Sequence, residues 1–323
     1  METSNIIVAD LGGTYIRFAV AFCNNFKVKL FNYKKVPSKD YSSFKDALSH
    51  YMDFLINEKM QAPRHGCFAV AGPVSSDGCS KLTNLSWFVS PNEIIDSSLF
   101  DQVKIINDVE AFAYSIPSLS DSSFIEVKKG CFDEKTDCTV VISIGTGFGS
   151  SLYVPHKDFV ISSESGNSVL GSYTDLQFEL LSMLRKDINP PLIEDFFSGR
   201  GLFLFYQKWC ALHNYRVSYD NLFDFFQALR SSQMDMVGLV DAYLSWFSSI
   251  AADICLHSGA RRLILGGSLL NQLSYCSDIS SCFNNGFVYS KSMGHLQKEI
   301  SVFLCENESL PLVGAANFFR SFA

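Results

Sequence analysis

The chain has 323 residues, a formal net charge of −7 and 47% hydrophobic residues. This length is enough for two domains, each with its own core, and the hydrophobic content excludes an intrinsically disordered chain. The negative charge argues against a protein that coats nucleic-acid phosphates, although backbone N–H groups and a metal ion can still bind a single phosphate.

The cysteines and the apolar segments indicate the compartment. The ten cysteines are scattered, without CxxC spacing or nearby histidines, so we expect reduced thiols. The N-terminus lacks a basic segment followed by an apolar core, which predicts a cytoplasmic protein. The most apolar long stretch, 239–257, contains Asp241 and Asp253 and is therefore predicted to be a core helix rather than a membrane span.

The spacing of apolar residues predicts a mixed α/β chain in two blocks. The first block has strands at 6–11 and 16–22, a helix at 41–60, a strand at 66–72, and the strand 103–107, which turns directly into a helix. The second block has a strand at 138–144, a hairpin through 155, helices at about 174–187 and 200–257, a strand at 262–265, and a strand and helix after 300.

Two stretches of the chain share one plan. Each is predicted to form an apolar strand, a glycine-rich turn with a threonine, and a second strand. The two stretches are "IIVADLGGTYIRFAV" (6–20) and "VVISIGTGFGSSLYV" (140–154). The repetition suggests a duplicated α/β domain whose turns face one cleft. "RRLILGGSLL" (261–270) adds a third strand that ends in glycines.

Glycine turns at strand ends can bind phosphate, because glycine allows positive φ and close approach of backbone N–H groups to an anion. The alternative for each motif alone is a tight hairpin turn. "GTGFG" also matches part of a dinucleotide-binding motif, but that motif needs a helix after the glycines, whereas "SSLYV" predicts a strand.

As a set, the motifs resemble those of the bacterial-type glucokinases, within the hexokinase and actin-like ATPase superfamily. Matching segments run along nearly the whole chain: "DLGGTYIRFAVA", "AVAGPV", "LTNLSWFVS", "IINDVEAFAYSIPSL", "SIGTGFGSSL", "SESGNSVLG", "EDFFSGRGLFLFY", "LILGGSLL" and "PLVGAANFF". The resemblance implies two ribonuclease-H-like α/β domains with a cleft between them, a small domain of 1–118 plus 303–323 and a large domain of 119–302.

The resemblance also assigns the residues on the nucleotide side. The first hairpin is expected to bind the triphosphate, with the aspartate near the metal ion, through Asp10, Gly12, Gly13 and Thr14. A second phosphate turn is expected at Gly145, Thr146 and Gly147, and the turn against the adenosine at Gly266 and Gly267. The cysteine and histidine motif of the related repressor and open-reading-frame kinase family is missing, so no structural zinc is expected.

A sugar kinase needs a carboxylate that accepts the proton of the sugar hydroxyl to be phosphorylated. Asp108 lies at a strand-to-helix junction, where the alternative role is a helix N-cap; the resemblance implies that it is the catalytic base for the sugar 6-hydroxyl. The resemblance further implies that Asn107, Glu164 and Glu194 bind hydroxyl groups of the sugar. Asn84 is expected on a loop that contacts the sugar. Solvated loop charges are the alternative for the two glutamates.

Two positions depart from the family pattern. The family usually follows its glutamate with Gly-Gly-His, whereas this chain has Ser-Gly-Asn, so Asn167 stands where a histidine touches the anomeric end of the sugar. Tyr15 stands where the family commonly has an asparagine, and an aromatic ring cannot reproduce the donor and acceptor of an amide. Sugar preference and phosphate contacts depend on these two positions.

The resemblance implies ATP-dependent phosphorylation of glucose at the 6-hydroxyl, the first step of glycolysis, with ATP and Mg²⁺. Glucose and ATP are the expected partners, with no nucleic acid and no membrane, and a homodimer is left open. The alternatives are a kinase for another hexose, such as mannose or an N-acetylated sugar, and a non-catalytic sugar sensor. The presence of Asp10, Asp108 and both phosphate turns argues against the sensor.

Overall fold

The computed structural model of the protein describes residues 5–24, 27–83, 85–96, 100–231 and 237–321. The contacts divide the chain into a first unit, Met1–Ser120 with Asn307–Ala323, and a second unit, Asp121–Glu306. Each unit contains its own mixed sheet and its own apolar core.

The first unit is built on a five-stranded sheet. Its elements in chain order are β1 (Asn5–Leu11), β2 (Tyr15–Asn24), β3 (Lys27–Pro37), α1 (Phe44–Asn57), β4 (His65–Val70), β5 (Ser80–Lys81), β6 (Phe88–Val89), α2 (Pro91–Ile95), β7 (Gln102–Asn107) and α3 (Asp108–Tyr114). The strand order is β3-β2-β1-β4-β7. β1 is buried from Ile6 to Leu11, because it is the central strand and is covered on both faces.

β3 is a strand that the sequence analysis does not predict. It pairs antiparallel with β2 and forms one edge of the sheet. Its sequence, KVKLFNYKKVP, contains four lysines, and charged side chains of this kind protect an edge strand from pairing with another chain.

The second unit is built on a six-stranded sheet and carries most of the helices. Its elements are β8 (Ile125–Lys128), β9 (Thr139–Ile144), β10 (Phe148–Val154), β11 (Phe159–Ser163), α4 (Asp175–Leu184), α5 (Ile193–Phe196), α6 (Gly199–Leu212), α7 (Leu222–Arg230), α8 (Val237–Ser258), β12 (Arg262–Gly266), α9 (Ser268–Ser274), α10 (Ile279–Gly286), α11 (Gly294–Glu299) and β13 (Ser301–Leu304). The predicted helical stretch 200–257 is therefore three helices within the described residues, α6, α7 and α8.

The two sheets repeat one topology, as the paired glycine hairpins predict. In the first unit, β1 is antiparallel to β2 and parallel to β4, and β4 is parallel to β7. In the second unit, β9 is antiparallel to β10 and parallel to β12, and β12 is parallel to β13. The second sheet adds β8 as an antiparallel edge strand, giving the order β11-β10-β9-β12-β13-β8.

The last helix, α12 (Leu310–Ser321), returns to the first unit and packs on α3. Gly314 lies directly against the Ala111 carbonyl, where a side chain would clash. The Asn317 amide donates 2.9 Å to the carbonyl of Tyr114. The C-terminal segment is thus part of the first unit's core.

α8 is a core helix, as predicted. Its segment Gly238–Ser258 has the length and hydropathy of a membrane span, but most of the segment is buried inside the protein. Trp246 is fully buried and its ring N–H donates 2.8 Å to the Gly171 carbonyl. Asp253 accepts hydrogen bonds from the hydroxyls of Tyr173 and Tyr289, which accounts for a carboxylate in this apolar helix.

Candidate active site

The first glycine hairpin places Asp10 at the end of the central strand β1. Asp10 is paired across the hairpin with Arg17, whose Nη1 donates 2.9 Å to Asp10 Oδ2. Asp10 is 6% exposed. Burial raises the pKa of Asp10, and the charge and hydrogen bond of Arg17 oppose this increase. The ion pair therefore helps to keep a carboxylate at the base of the predicted triphosphate turn.

The turn itself consists of Gly12, Gly13 and Thr14, between the end of β1 and the start of β2. The Gly12 N–H donates 3.0 Å to the Tyr15 carbonyl, which closes the hairpin. Both glycines are partly exposed and Thr14 is exposed. Neither glycine has a positive φ. A Cβ on Gly12 would lie 3.0 Å from the Tyr15 carbonyl oxygen, so limited space and not a left-handed backbone favours glycine there.

Arg17 belongs to an ion-pair network that the sequence analysis misses. Its Nη2 donates 2.7 Å to Glu308 Oε2, and Lys35 Nζ donates 2.8 Å to the same oxygen. The hydrogen bonds from Lys35 and Arg17 lower the pKa of Glu308 to about 2. The one signal in the sequence is an arginine inside an otherwise apolar strand, since Glu308 lies 291 residues away.

Tyr15, one of the two departures from the family pattern, lies at the outer end of this turn. It is 42% exposed. The Lys35 ammonium lies 5.0 Å from the centre of its ring, within the range of a cation–π contact. The side chain thus adds an aromatic surface and a lysine beside the predicted phosphate site.

At the end of β7, the N-cap of α3 is Asn107, whereas the alternative role for Asp108 was that of the N-cap. Asn107 is the N-cap of α3, because its Oδ1 accepts from the N–H groups of Val109 at 2.9 Å and Glu110 at 3.2 Å. Its Nδ2 donates 3.1 Å to the Gly72 carbonyl. Asp108 is the first residue of the helix, so the interpretation of Asp108 as the N-cap is wrong.

Asp108 is a half-buried carboxylate near the negative charge of Asp10. Burial raises the pKa of Asp108 from 3.8 to about 7, the charge of Asp10 adds to the increase, and backbone N–H groups oppose it. The two carboxylates lie at the same edge of the sheet, because β1, β4 and β7 are parallel and end together. A carboxylate with a pKa near neutrality is suited to accept a proton.

The second glycine hairpin, in the second unit, joins β9 to β10. The Gly145 N–H donates 3.0 Å to the Gly147 carbonyl, and the Gly145 carbonyl accepts from the N–H of Gly199 at 2.9 Å. Gly199 is the first residue of α6, so this helix begins against the turn. Thr146 is exposed at the tip. A strand follows the turn, which rules out the dinucleotide-binding alternative.

Glu194 lies against this second turn. Its Oε2 accepts 3.0 Å from the Phe148 N–H. A side chain on Gly147 would place its Cβ 2.9 Å from the same oxygen, so glycine at this position makes room for the carboxylate. Gly147 and Glu194 are both predicted site residues, and the hydrogen bond that brings them together, from Phe148 to Glu194, joins positions 46 residues apart in the chain.

Glu164 and Asn167 are exposed and share one turn. The Asn167 Nδ2 donates 3.2 Å to Glu164 Oε2, and the Asn167 N–H donates 2.9 Å to the Glu164 carbonyl. The turn is attached to β10 by a 2.6 Å hydrogen bond between the hydroxyls of Ser165 and Ser150. The asparagine that replaces the family's histidine is therefore bonded to the neighbouring carboxylate.

The third glycine turn lies next to the second one. β12 runs parallel to β9, with Gly266 opposite Ser143, so the two strands end at the same edge of the sheet. Gly267 has a φ of 98°, and a Cβ there would lie 2.3 Å from the Ile144 carbonyl oxygen. Only glycine fits this position.

Each unit thus gathers its own set of predicted residues. The first unit contains Asp10, Gly12, Gly13, Thr14, Asn107 and Asp108. The second unit contains Gly145, Thr146, Gly147, Glu164, Asn167, Glu194, Gly266 and Gly267. Asn84 lies outside the described residues.

Comparison with known proteins identifies the family. The family model for glucokinase matches residues 7–322. The chain belongs to the glucokinase family. A glucokinase from Nitrobacter hamburgensis is 31% identical over 319 residues, covering 96% of each chain. The family is one of sugar kinases, which transfer a phosphoryl group, so this member is a phosphotransferase.

Solved structures agree with this family and fold. The structure of a glucokinase from an Antarctic psychrotroph has a TM-score of 0.84 and 30% identity, covering 99% of this chain and 100% of that one. A glucokinase of the ROK family from Streptomyces griseus, in complex with glucose and AMPPNP, has a TM-score of 0.67 and 16% identity, covering 98% of this chain and 100% of that one. The predicted actin-like ATPase fold and the resemblance to glucokinases are confirmed.

No cluster of three or more His, Cys, Asp or Glu side chains capable of holding a metal ion is found among the described residues. All ten cysteines lie in the described part of the chain and are free there.

Proposed function

We propose that this sugar kinase transfers the γ-phosphoryl group of ATP to the 6-hydroxyl of glucose. The observation that carries the proposal is Asp108, a half-buried carboxylate at a strand end whose pKa is raised to about 7. In the proposed step the sugar oxygen forms a bond to the γ-phosphorus, the bond from that phosphorus to the β–γ bridging oxygen breaks, and Asp108 accepts the hydroxyl proton. ADP is the leaving group.

Two features of the first unit fit a triphosphate at its hairpin. Gly12 uses its N–H within the hairpin, which leaves the N–H groups of Gly13 and Thr14 as the phosphate donors of the turn. Asp10 fits a magnesium ion, because Mg²⁺ in phosphoryl-transfer sites is held by one or two carboxylates together with the substrate phosphates. Arg17 occupies one oxygen of Asp10 and leaves the other for the ion or its water. The metal would neutralise charge on the transferred group.

In the second unit we propose that the turn of Gly145, Thr146 and Gly147 binds the phosphates of the nucleotide. The turn of Gly266 and Gly267 is proposed to contact the adenosine. Glu164 and Glu194 would accept hydrogen bonds from sugar hydroxyls, since a carboxylate can accept from two adjacent hydroxyls. Asn107 has its acceptor oxygen occupied by two backbone N–H groups. Its share in sugar binding is therefore limited to the remaining N–H of its amide.

The proposal is tested by the product. Purified protein with Mg-ATP and glucose is expected to yield ADP and glucose phosphorylated on oxygen 6, as read by phosphorus and proton NMR. The variant Asp108→Asn provides the control for contaminating kinases. Phosphate on the anomeric oxygen, or no transfer to glucose, would contradict the proposal.

A second candidate is a kinase for another hexose, and Asn167 favours it. Its amide is bonded to Glu164 Oε2 at 3.2 Å, so the pair presents a different set of donors and acceptors from a glutamate beside a histidine. A panel of glucose, mannose and N-acetylated hexoses, assayed by ADP release, separates the two candidates. A higher kcat/KM for one of the other sugars would make that sugar the substrate.

We also propose a cytoplasmic location, because ten free cysteines fit a reducing compartment.

A further inference from the structure

A buried serine that the sequence analysis does not single out contacts the first phosphate turn. Ser38 follows β3 directly and is fully buried, with 0% exposure. Its Oγ donates 2.8 Å to the Gly12 carbonyl. Its N–H donates 3.0 Å to the Thr14 carbonyl. Ser38 therefore binds the turn at two carbonyls, one on each side of Gly13.

The first of these bonds sets the direction of a phosphate donor. The Gly12 carbonyl and the Gly13 N–H belong to the same peptide group, and in a planar trans peptide they point in opposite directions. A hydroxyl that holds the carbonyl on the protein side therefore directs the Gly13 N–H away from Ser38. The second bond fixes the other end of the turn, so the peptide between Gly12 and Gly13 has little freedom to flip.

The position of Ser38 depends on β3, whose pairing with β2 places Pro37 opposite Tyr15 at the end of the turn. The hydroxyl and the carbonyl that it holds are 26 residues apart in the chain. A role limited to stability would require only that the buried hydroxyl find an acceptor. The two bonds to the nucleotide turn indicate a role in its shape.

We propose that Ser38 is a positioning residue for the nucleotide, because its hydroxyl orients the Gly13 N–H toward the phosphates before the nucleotide binds. The inference rests on the proposed function of this turn. Ser38 does not contact the reacting atoms. Its effect is expected in nucleotide affinity and not in the handling of glucose.

The test uses Ser38→Ala, which removes the hydroxyl and keeps the backbone N–H bond to Thr14. We expect the KM for Mg-ATP to rise about tenfold, because the Gly12 carbonyl loses its buried donor. The KM for glucose is expected to stay within twofold. Calorimetry with Mg-AMPPNP is expected to give the same loss of affinity without turnover. Ser38→Thr retains a hydroxyl for the Gly12 carbonyl and is expected to bind Mg-AMPPNP more tightly than Ser38→Ala does.

A matched control is Ser115→Ala. Ser115 is also fully buried in the first unit and donates its hydroxyl to a carbonyl, that of Phe112 at 2.6 Å, away from the turn. The control is expected to lower thermal stability and to leave the KM for Mg-ATP unchanged. The inference is overturned if Ser38→Ala binds Mg-AMPPNP within twofold of wild type, or if Ser115→Ala weakens binding equally. Failure of the proposed function would appear instead as wild-type protein that does not phosphorylate glucose, while the AMPPNP titration still reports on Ser38.

Discussion

The substitution Asp108→Asn is expected to abolish most turnover and to increase stability above neutral pH. Asn keeps the size of the side chain and an oxygen that can accept from the Val109 N–H, which donates 3.0 Å to Asp108 in the wild type. The N-cap of α3 is untouched, because Asn107 provides it. The variant therefore removes the ionisable group and little else.

The magnitude of the stability gain follows from the pKa of Asp108. A carboxyl whose pKa is higher in the folded than in the unfolded protein destabilises the folded state once the pH exceeds the unfolded value. The penalty begins near pH 3.8, grows to about pH 7 and is complete above it. The difference between these two values corresponds to at most roughly 4 kcal/mol of unfolding free energy. Asn carries no charge and avoids this penalty.

The loss of activity follows from the loss of the base, which contributes about 10²- to 10⁴-fold to the rate. Turnover is measured by coupled ADP release at saturating glucose and Mg-ATP. Stability is measured as the urea midpoint of unfolding at pH 8 and at pH 5, and the gain of the variant should be smaller at pH 5. AMPPNP affinity should remain near that of the wild type.

Asp101→Asn is the matched control in the same unit. Asp101 is exposed, and its bidentate hydrogen bonds from Arg64 lower its pKa, so this variant should retain turnover and should not gain stability. The assignment of Asp108 as the base would be falsified by an Asn variant, free of deamidated protein, that keeps more than about a tenth of normal turnover. An unchanged urea midpoint at pH 8 would contradict the reasoning on burial.

Three further outcomes are expected. The kcat/KM for glucose should rise with pH through an apparent pKa near 7, since Asp108 must be ionised to accept a proton; a flat profile between pH 5.5 and 8.5 would argue against this base. Glu164→Gln and Glu194→Gln should each weaken glucose binding by about 1.5–3 kcal/mol in calorimetry, and unchanged affinity in both would return these residues to the solvated-loop alternative. Gly147→Ala should weaken glucose binding in the same direction, because its Cβ would lie 2.9 Å from Glu194 Oε2; wild-type affinity in this variant would indicate that the carboxylate moves without consequence.

The sequence by itself determined the local architecture around the site. The apolar strands, the glycine turns between them and the change from β7 to α3 depend on the alternation of apolar residues and on glycine, which act over a few neighbouring positions. The repeated hairpins were sufficient to predict two sheets of one topology. The family motifs predicted Asp10 and Asp108 as site residues of the first unit and Glu194 as a site residue of the second.

The tertiary structure decided the contacts that give these residues their chemistry. Asn107, and not Asp108, caps α3, because the backbone is extended at 107 and already helical at 108. The high pKa of Asp108 arises from burial and from the charge of Asp10, which is close only because β1, β4 and β7 end at one edge. Ser38, directly after β3, binds the first turn, and Glu308, in the segment before α12, binds the arginine that pairs with Asp10. Such contacts join residues that are far apart in the chain, so strand register and packing fix them, and no local pattern of residue types records them.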